Sequence, residues 1–337
     1  MKELAASTIS LALLTFALAA QAQSHGDTHG DSQAAGHGTD THAAASVTHT
    51  AAPVQNSTQD SHAAAPTAPA GHGGGHGGPV SDDIIAAQRA ALYHSSIGVG
   101  FGPQSPRDID RAFGANARVF ATAPHHTRMN LCNIHLHEGA EHRGGDFTLY
   151  IGNGDGEGYG TGFAYVGRLT PEELTPYHRP VGATEHGSIE PGDTIEVHFV
   201  YTTADVRPGA TLGACLDDET GNPQLRVEAQ IMVVVNDDSA ARFTTLAALS
   251  SIDGYAQAPN LPMTMGMPVV YQGSTTGPGY NEIGSPYQVT WSVRPQVMRV
   301  SIASLDAWFA GNVFNEDHAH GVRNLVIEPE LLSPILR

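Results

Sequence analysis

His135 and His137 lie two residues apart in Cys132-Asn133-Ile134-His135-Leu136-His137-Glu138-Gly139-Ala140-Glu141-His142, a spacing suited to metal chemistry. Alternate side chains of a strand share a face, so Asn133, His135 and His137 are expected to point one way and Cys132, Ile134 and Leu136 the other. Two imidazoles make half a metal site, and a bare His-x-His also occurs as surface or hydrogen-bonded histidines. The third ligand is expected from Asp193-Thr194-Ile195-Glu196-Val197-His198-Phe199-Val200-Tyr201, where alternation puts Glu196, His198 and Val200 on one face. A carboxylate next to a ligand imidazole can accept its second N–H, and Asn133 can serve His135 in the same way. Three imidazoles leave one position of a tetrahedral zinc for water, whose pKa falls to ~7 in such sites. The expected chemistry is attack by hydroxide at neutral pH.

Such a site needs paired strands. From Met129 to Val235, short β-branched or alternating runs separated by Gly, Asn, Asp and Pro predict strands at 129–137, 146–151, 161–168, 193–201, 210–216 and 225–235. Further strands are predicted at 267–272, 287–293 and 297–303, with a helix over 238–249. Ser81-Asp82-Asp83 before an apolar run reads as the start of a short helix ending near Tyr93. The Gly/Pro-punctuated stretch 98–109 is irregular, and Ser105–Pro106 is a candidate cis bond. The expected fold is mainly β (α+β), a single domain around a large mixed, mostly antiparallel sheet with short peripheral helices.

Lys2, an apolar run from Leu11 to Ala20 and Ala20-Gln21-Ala22 read as a signal peptide over residues 1–22. The run is too short to span a membrane. Residues 23–80 are rich in Ala, Gly, His and Ser, hold eight histidines between His25 and His76, and offer too little apolar mass to fold. They read equally as a metal-gathering tether or a polar spacer. The zinc domain is then 81–337, in a chain expected to be periplasmic or secreted with no membrane span once mature. The 337 residues carry a net charge of −18 and a single lysine, which argues against nucleic acid as a partner. Cys132 and Cys215 are expected to pair in an oxidising compartment; two buried free thiols are the alternative.

Asn133-Ile134-His135-Leu136-His137 through Glu141-His142 resembles the metal strand of carbonic anhydrases, especially the delta class. Gly102 to Ile109 is similar to the alpha-class Gln-Ser-Pro segment, with Arg107 in place of an aliphatic residue. Glu196-Val197-His198-Phe199-Val200 resembles the third-ligand strand. Tyr271-Gln272-Gly273-Ser274-Thr275-Thr276-Gly277-Pro278 with Val289-Thr290-Trp291 resembles the alpha-class Gly-Ser-x-Thr and Val-Thr-Trp pair. The resemblance implies an alpha-class-like fold and a zinc enzyme that hydrates CO₂ reversibly to bicarbonate and a proton through zinc-bound hydroxide. It makes His135, His137 and His198 the ligands, Asn133 and Glu196 their hydrogen-bond acceptors, and Glu141 with Thr276 the gate that orients the nucleophile. Val200 and Trp291 become the walls of the CO₂ pocket, and Tyr271 a neighbour of the gate.

Thr275 stands where the alpha class has leucine and Gly277 where it has threonine, so Thr275 is an alternative gate. The chain between Ser105 and His135 is shorter than in that class and lacks the hairpin bearing the usual histidine shuttle. His125, His126 and His142 are the first candidates for proton export, followed by His178 and His186. His318-Ala319-His320 is a second His-x-His, read as a loop with structural hydrogen bonds rather than a second metal site. A cupin, with Glu141 as a direct iron or manganese ligand, is the strongest rival. A non-catalytic zinc-binding protein is another. A copper–zinc dismutase would need more histidines and an aspartate in a tight order absent here.

Overall fold

Residues 78–99, 101–274 and 281–336 are described by the structure, a computed structural model. The expected signal peptide, nearly all of the His-rich segment, and Thr275 and Thr276 lie outside them. No helix of the described residues is long and apolar enough to cross a membrane.

Helix α1 (Asp82–Ser96) has Asp82 and Asp83 in its first turn, where carboxylates suit the helix dipole, and runs three residues past the expected end. Ser81 takes the extended backbone of an N-cap, but its side chain makes no capping bond. Strands β1 (Asn130–Glu138), β2 (Phe147–Asn153) and β3 (Thr161–Tyr165) follow, then β4 (Val181–Thr184), β5 (Gly187–Ile189), β6 (Thr194–Thr202) and β7 (Leu225–Val235). After them come α2 (Phe243–Leu246), β8 (Ser250–Ile252), β9 (Tyr255–Gln257), β10 (Val269–Gly273), β11 (Val289–Val293), β12 (Met298–Ser301) and α3 (Ile302–Phe309).

One mixed sheet carries the molecule in the order β1-β6-β7-β11-β10, with β12 also on β7. The pairs β1–β6, β6–β7 and β10–β11 are antiparallel; β11 and β12 run parallel to successive halves of the long β7. This is the mainly β, mixed and mostly antiparallel architecture expected, with short helices around it. Every residue of β6 and ten of the eleven in β7 are buried, because both faces are covered. Ile134, Leu136, Ile195, Val197, Phe199, Met232 and Val234 form a core with Phe243 of α2 and Leu305 and Trp308 of α3. Val200, Val227, Ala229, Ile231, Tyr271, Trp291 and Val293 form a second cluster with Phe147 and Phe163.

Four expectations need correction. The register of β1 against β6 slips between Leu131 and Asn133, a bulge at Cys132. Strict alternation therefore fails there, and Cys132 packs with Val200 and Trp291 instead of with Ile134 and Leu136. Residues 210–216 hold a single 3₁₀ turn, Leu212–Cys215, rather than a strand. The helix expected over 238–249 shrinks to α2, and the strand expected to reach 303 turns into α3 at Ile302.

Candidate metal centre

His135 lies opposite His198 in the β1–β6 ladder, and His137 opposite Glu196. Opposed residues of an antiparallel pair share a face, so the register gathers three imidazoles. Their ring centroids are 4.8–5.2 Å apart, and each offers a nitrogen within 4.8 Å of the others. The outward nitrogens are all engaged. His135 Nδ1 donates to Asn133 Oδ1 (2.6 Å), His137 Nδ1 to the Gly321 carbonyl (3.0 Å) and His198 Nε2 to Glu196 Oε1 (2.8 Å). These partners fix the tautomers, leaving Nε2 of His135, Nε2 of His137 and Nδ1 of His198 as lone pairs facing a common point.

Two observations test whether this set fits zinc. His135 Nε2 and His198 Nδ1 are 3.2 Å apart, and nitrogens at ~2.05 Å on a tetrahedral zinc stand about 3.3 Å from each other. His137 Nε2 is buried with no hydrogen-bond partner among the described residues, an orphan that a cation would satisfy. Burial, reinforced by the neighbouring imidazoles, holds His135 well below the usual histidine range. Burial likewise pushes His137 down to about 4, against the pull of Glu141. Neutral imidazole is the ligating form, so the residues fit the ion.

Behind His198 runs a buried chain of hydrogen bonds. Glu196 accepts from His142 through both oxygens, Oε1 from Nδ1 (2.6 Å) and Oε2 from the backbone N–H (3.0 Å). His142 Nε2 then accepts from the Tyr271 hydroxyl (2.8 Å), which accepts from Ser105 Oγ (2.5 Å). Although burial opposes ionisation, His142 and His198 hold the Glu196 carboxyl well below its ordinary value. The buried Arg107 guanidinium sits 5.3 Å over the Tyr271 ring and donates to the carbonyls of Ser333, Arg111 and Phe113. Val200 and Trp291, the expected pocket walls, are both buried, and the Trp291 ring lies 5.1 Å from that of His198.

A strap over residues 316–323 covers the edge of β1. His320 N–H donates to Leu136 O and Glu138 N–H to His320 O, each at 2.8 Å. Gly321 thereby reaches His137, and Arg323 reaches Glu141, whose Oε1 accepts from the Arg323 backbone N–H (2.9 Å) and Nη1 (3.4 Å). Burial would raise the Glu141 pKa, but the charges of His137 and Arg323 hold it below the ordinary value. Its Oε2 is buried without a partner among the described residues. Both close approaches of Glu141 to the triad, 3.5 Å to His137 Nδ1 and 3.9 Å to His198 Nε2, are to outward nitrogens.

The histidines considered for proton export are scattered. His126 lies 3.5 Å from Glu228 Oε1 and stacks near Tyr201, on the sheet face away from the triad, with His125 against it. His142 is fully buried in the Glu196–Tyr271 chain. His178 packs on Tyr177, and His186 stacks on Tyr159 and donates to Asp155. His320 instead has its ring 5.9 Å from that of His135 and 6.1 Å from that of His137. Its side chain is 42% exposed, with Nε2 bonded to Glu316 Oε2 at 2.7 Å. His318 pairs with Asp317, and neither it nor His320 joins a metal-ligating group among the described residues. Cys132 and Cys215 form a disulfide. Sequence reasoning missed Gly321 and Arg323, and gave Ser105 and Arg107 no role.

A family model described as Delta carbonic anhydrase matches residues 126–304, a little over half of the chain. The chain belongs to the delta carbonic anhydrase family, and is thus an enzyme of CO₂ hydration. No curated protein matches it. Among solved structures it is similar to an alpha-carbonic anhydrase of Photobacterium profundum, at 19% identity over 73% of this chain and 95% of that one, with a TM-score of 0.24. It is also similar to the alpha-carbonic anhydrase of Thermovibrio ammonificans in complex with the inhibitor sulfanilamide, at 17% identity over 74% of this chain and 95% of that one, with a TM-score of 0.24.

Proposed function

We propose that this protein hydrates CO₂ at a zinc ion held by His135 Nε2, His137 Nε2 and His198 Nδ1. The observation that carries this reading is the convergence of three imidazoles whose outward N–H groups each have a separate acceptor. When bound, zinc acidifies a water to near neutrality so that it serves as the nucleophile. Asn133, Gly321 and Glu196 hold the ligand rings in orientation. The apolar flank of Val200 and Trp291 receives CO₂, a linear molecule with no charge to solvate. Glu141 accepts at Oε2 from a hydroxyl, assigned by resemblance to Thr276 or Thr275, and that hydroxyl must then accept from the nucleophile and fix its lone pair.

Each turnover releases a proton, and His320 is our choice for its carrier: its imidazole stands beside the triad and also meets solvent. Glu316 would hold that ring through Nε2. A periplasmic or secreted location is part of the same reading. The direct test is stopped-flow CO₂ hydration by zinc-loaded protein, expected to run well above the buffer rate; a rate equal to buffer would sink the proposal. His198→Ala should lose both zinc and turnover. Glu141→Gln should keep zinc and lose turnover, whereas release of metal by that variant would favour the cupin arrangement.

A further inference from the structure

Arg323 lies outside the segment that matches the family, 126–304, yet it supplies both hydrogen bonds donated to Glu141 among the described residues. The two bonds end on the same oxygen, Oε1, while Oε2 is buried with no hydrogen-bond partner among the described residues and lies 3.9 Å from His198 Nε2. A carboxylate has two equivalent oxygens and rotates about its last bond; two donors on one oxygen remove both freedoms. The result is a carboxylate with one oxygen held and the other presented. Glu141 is only 1% exposed, so water does not provide a competing set of donors.

The strap explains why the arginine is there. Its backbone is hydrogen-bonded to β1 at Leu136 and Glu138, on either side of the ligand His137. Gly321 caps His137 two residues before Arg323 meets Glu141, so one peptide segment sets both the ligand and the carboxylate four residues beyond it. From this geometry we infer that Arg323 is a positioning residue of the reaction, acting through Glu141 by clamping Oε1 so that Oε2 is the oxygen left to accept a hydrogen bond. This rests on the gate reading of Glu141 given above.

A double-mutant cycle tests it. Arg323→Ala keeps the backbone donor but removes the guanidinium, and is expected to lower kcat by about tenfold to a hundredfold, as for a misplaced group, with zinc content and KM little changed. Arg323→Lys should fall between. In a Glu141→Gln background the same alanine change should cost no further turnover, because nothing remains to orient. Melting of the metal-free proteins gives a readout independent of catalysis. Arg323→Ala alone should lower Tm by leaving a buried carboxylate short of its cation, and adding Glu141→Gln should recover much of the loss. Equal losses of turnover with glutamate or glutamine at 141, or wild-type kcat in Arg323→Ala, overturn the inference while leaving the gate intact. Full turnover in Glu141→Gln alone overturns the gate reading, and the inference with it.

Discussion

Asn133 is 1% exposed, and its amide faces two ways: Oδ1 receives His135 Nδ1, and Nδ2 donates to Gly209 O at 3.2 Å. Replacing it with alanine frees the His135 ring to rotate and change tautomer. Zinc affinity, measured by competition with a chromophoric chelator, is expected to fall about tenfold to a hundredfold; unchanged affinity would mean the ring is held by something else. Asn133 and Glu196 were readable from parity because each shares a strand face with a histidine two residues away. His142 was not, because its partners Tyr271 and Ser105 come from distant parts of the chain. Asp193, in the turn before β6, offers a separate test. Its Oδ2 accepts from Glu190 N–H at 2.8 Å. Burial, with the Glu190 charge adding to it, pushes its pKa up to about 6 from an ordinary 3.8. The folded state thus keeps a proton that the unfolded chain gives up, and stability is lost as pH rises through about 6. Asp193→Asn keeps the acceptor without the charge. Thermal melts should show a gain of about 1 kcal/mol at pH 7.5, equivalent to a few degrees, and little difference at pH 4.

Between β6 and β7 the chain makes a loop with no regular strand, pinned by Cys132–Cys215 across 83 residues. The loop carries Gly209, whose N–H donates to Cys132 O and whose carbonyl receives Asn133 Nδ2. Thr202 Oγ1 donates to Cys215 O at the other end. Disulfide, loop and Asn133 are therefore mechanically in series with His135. Reduction, or replacing both cysteines with serine, is expected to cost about 3 kcal/mol of stability and also to weaken zinc binding several-fold. A loss of Tm with unaltered zinc affinity would uncouple the two. Why the loop resisted sequence reading is plain at this scale. Its run of small and aliphatic residues from 210 to 216 resembles a strand, but Thr211 takes a positive φ of 59° that breaks the extension, and a 3₁₀ turn follows at Leu212–Cys215. Parity failed at Cys132 for a related reason: one bulged residue shifts the face of everything on its far side. Beyond the bulge, where the ligands sit, register is regular and the sequence pattern held.

The stretch before β1 and the C-terminal residues are bonded to each other although the ligands lie between them in sequence, and this long-range closure is what a single sequence conceals. Gln104 N–H donates to Leu331 O, Ala115 N–H to Pro329 O and Ile335 N–H to Ala112 O, so the stretch before β1 is laced to the C-terminal residues. Arg107 reaches the Ser333 carbonyl from the same stretch, with its ring partner Tyr271 next in the chain to His142 and Glu196. Val326, Leu331, Leu332 and Ile335 are buried there. No local period in 324–336 announces any of this, since its backbone, with one 3₁₀ turn at Pro329–Leu331, bonds mainly to partners more than two hundred residues away. Deleting residues 324–337 leaves all three ligands, Gly321 and Arg323 in the chain, yet removes one acceptor of a fully buried guanidinium and the apolar cover around it. Loss of one hydrogen-bond acceptor of a buried charged group costs about 1–3 kcal/mol, and the slack passes through Tyr271 and His142 to the carboxylate that orients His198. The truncated protein is expected to melt at a markedly lower temperature and to bind zinc at least about tenfold more weakly, read by calorimetry and chelator competition. If it kept wild-type zinc affinity, the buried chain from Ser105 to Glu196 would be ornamental to the metal site, and the ligand triad would stand on its two strands alone.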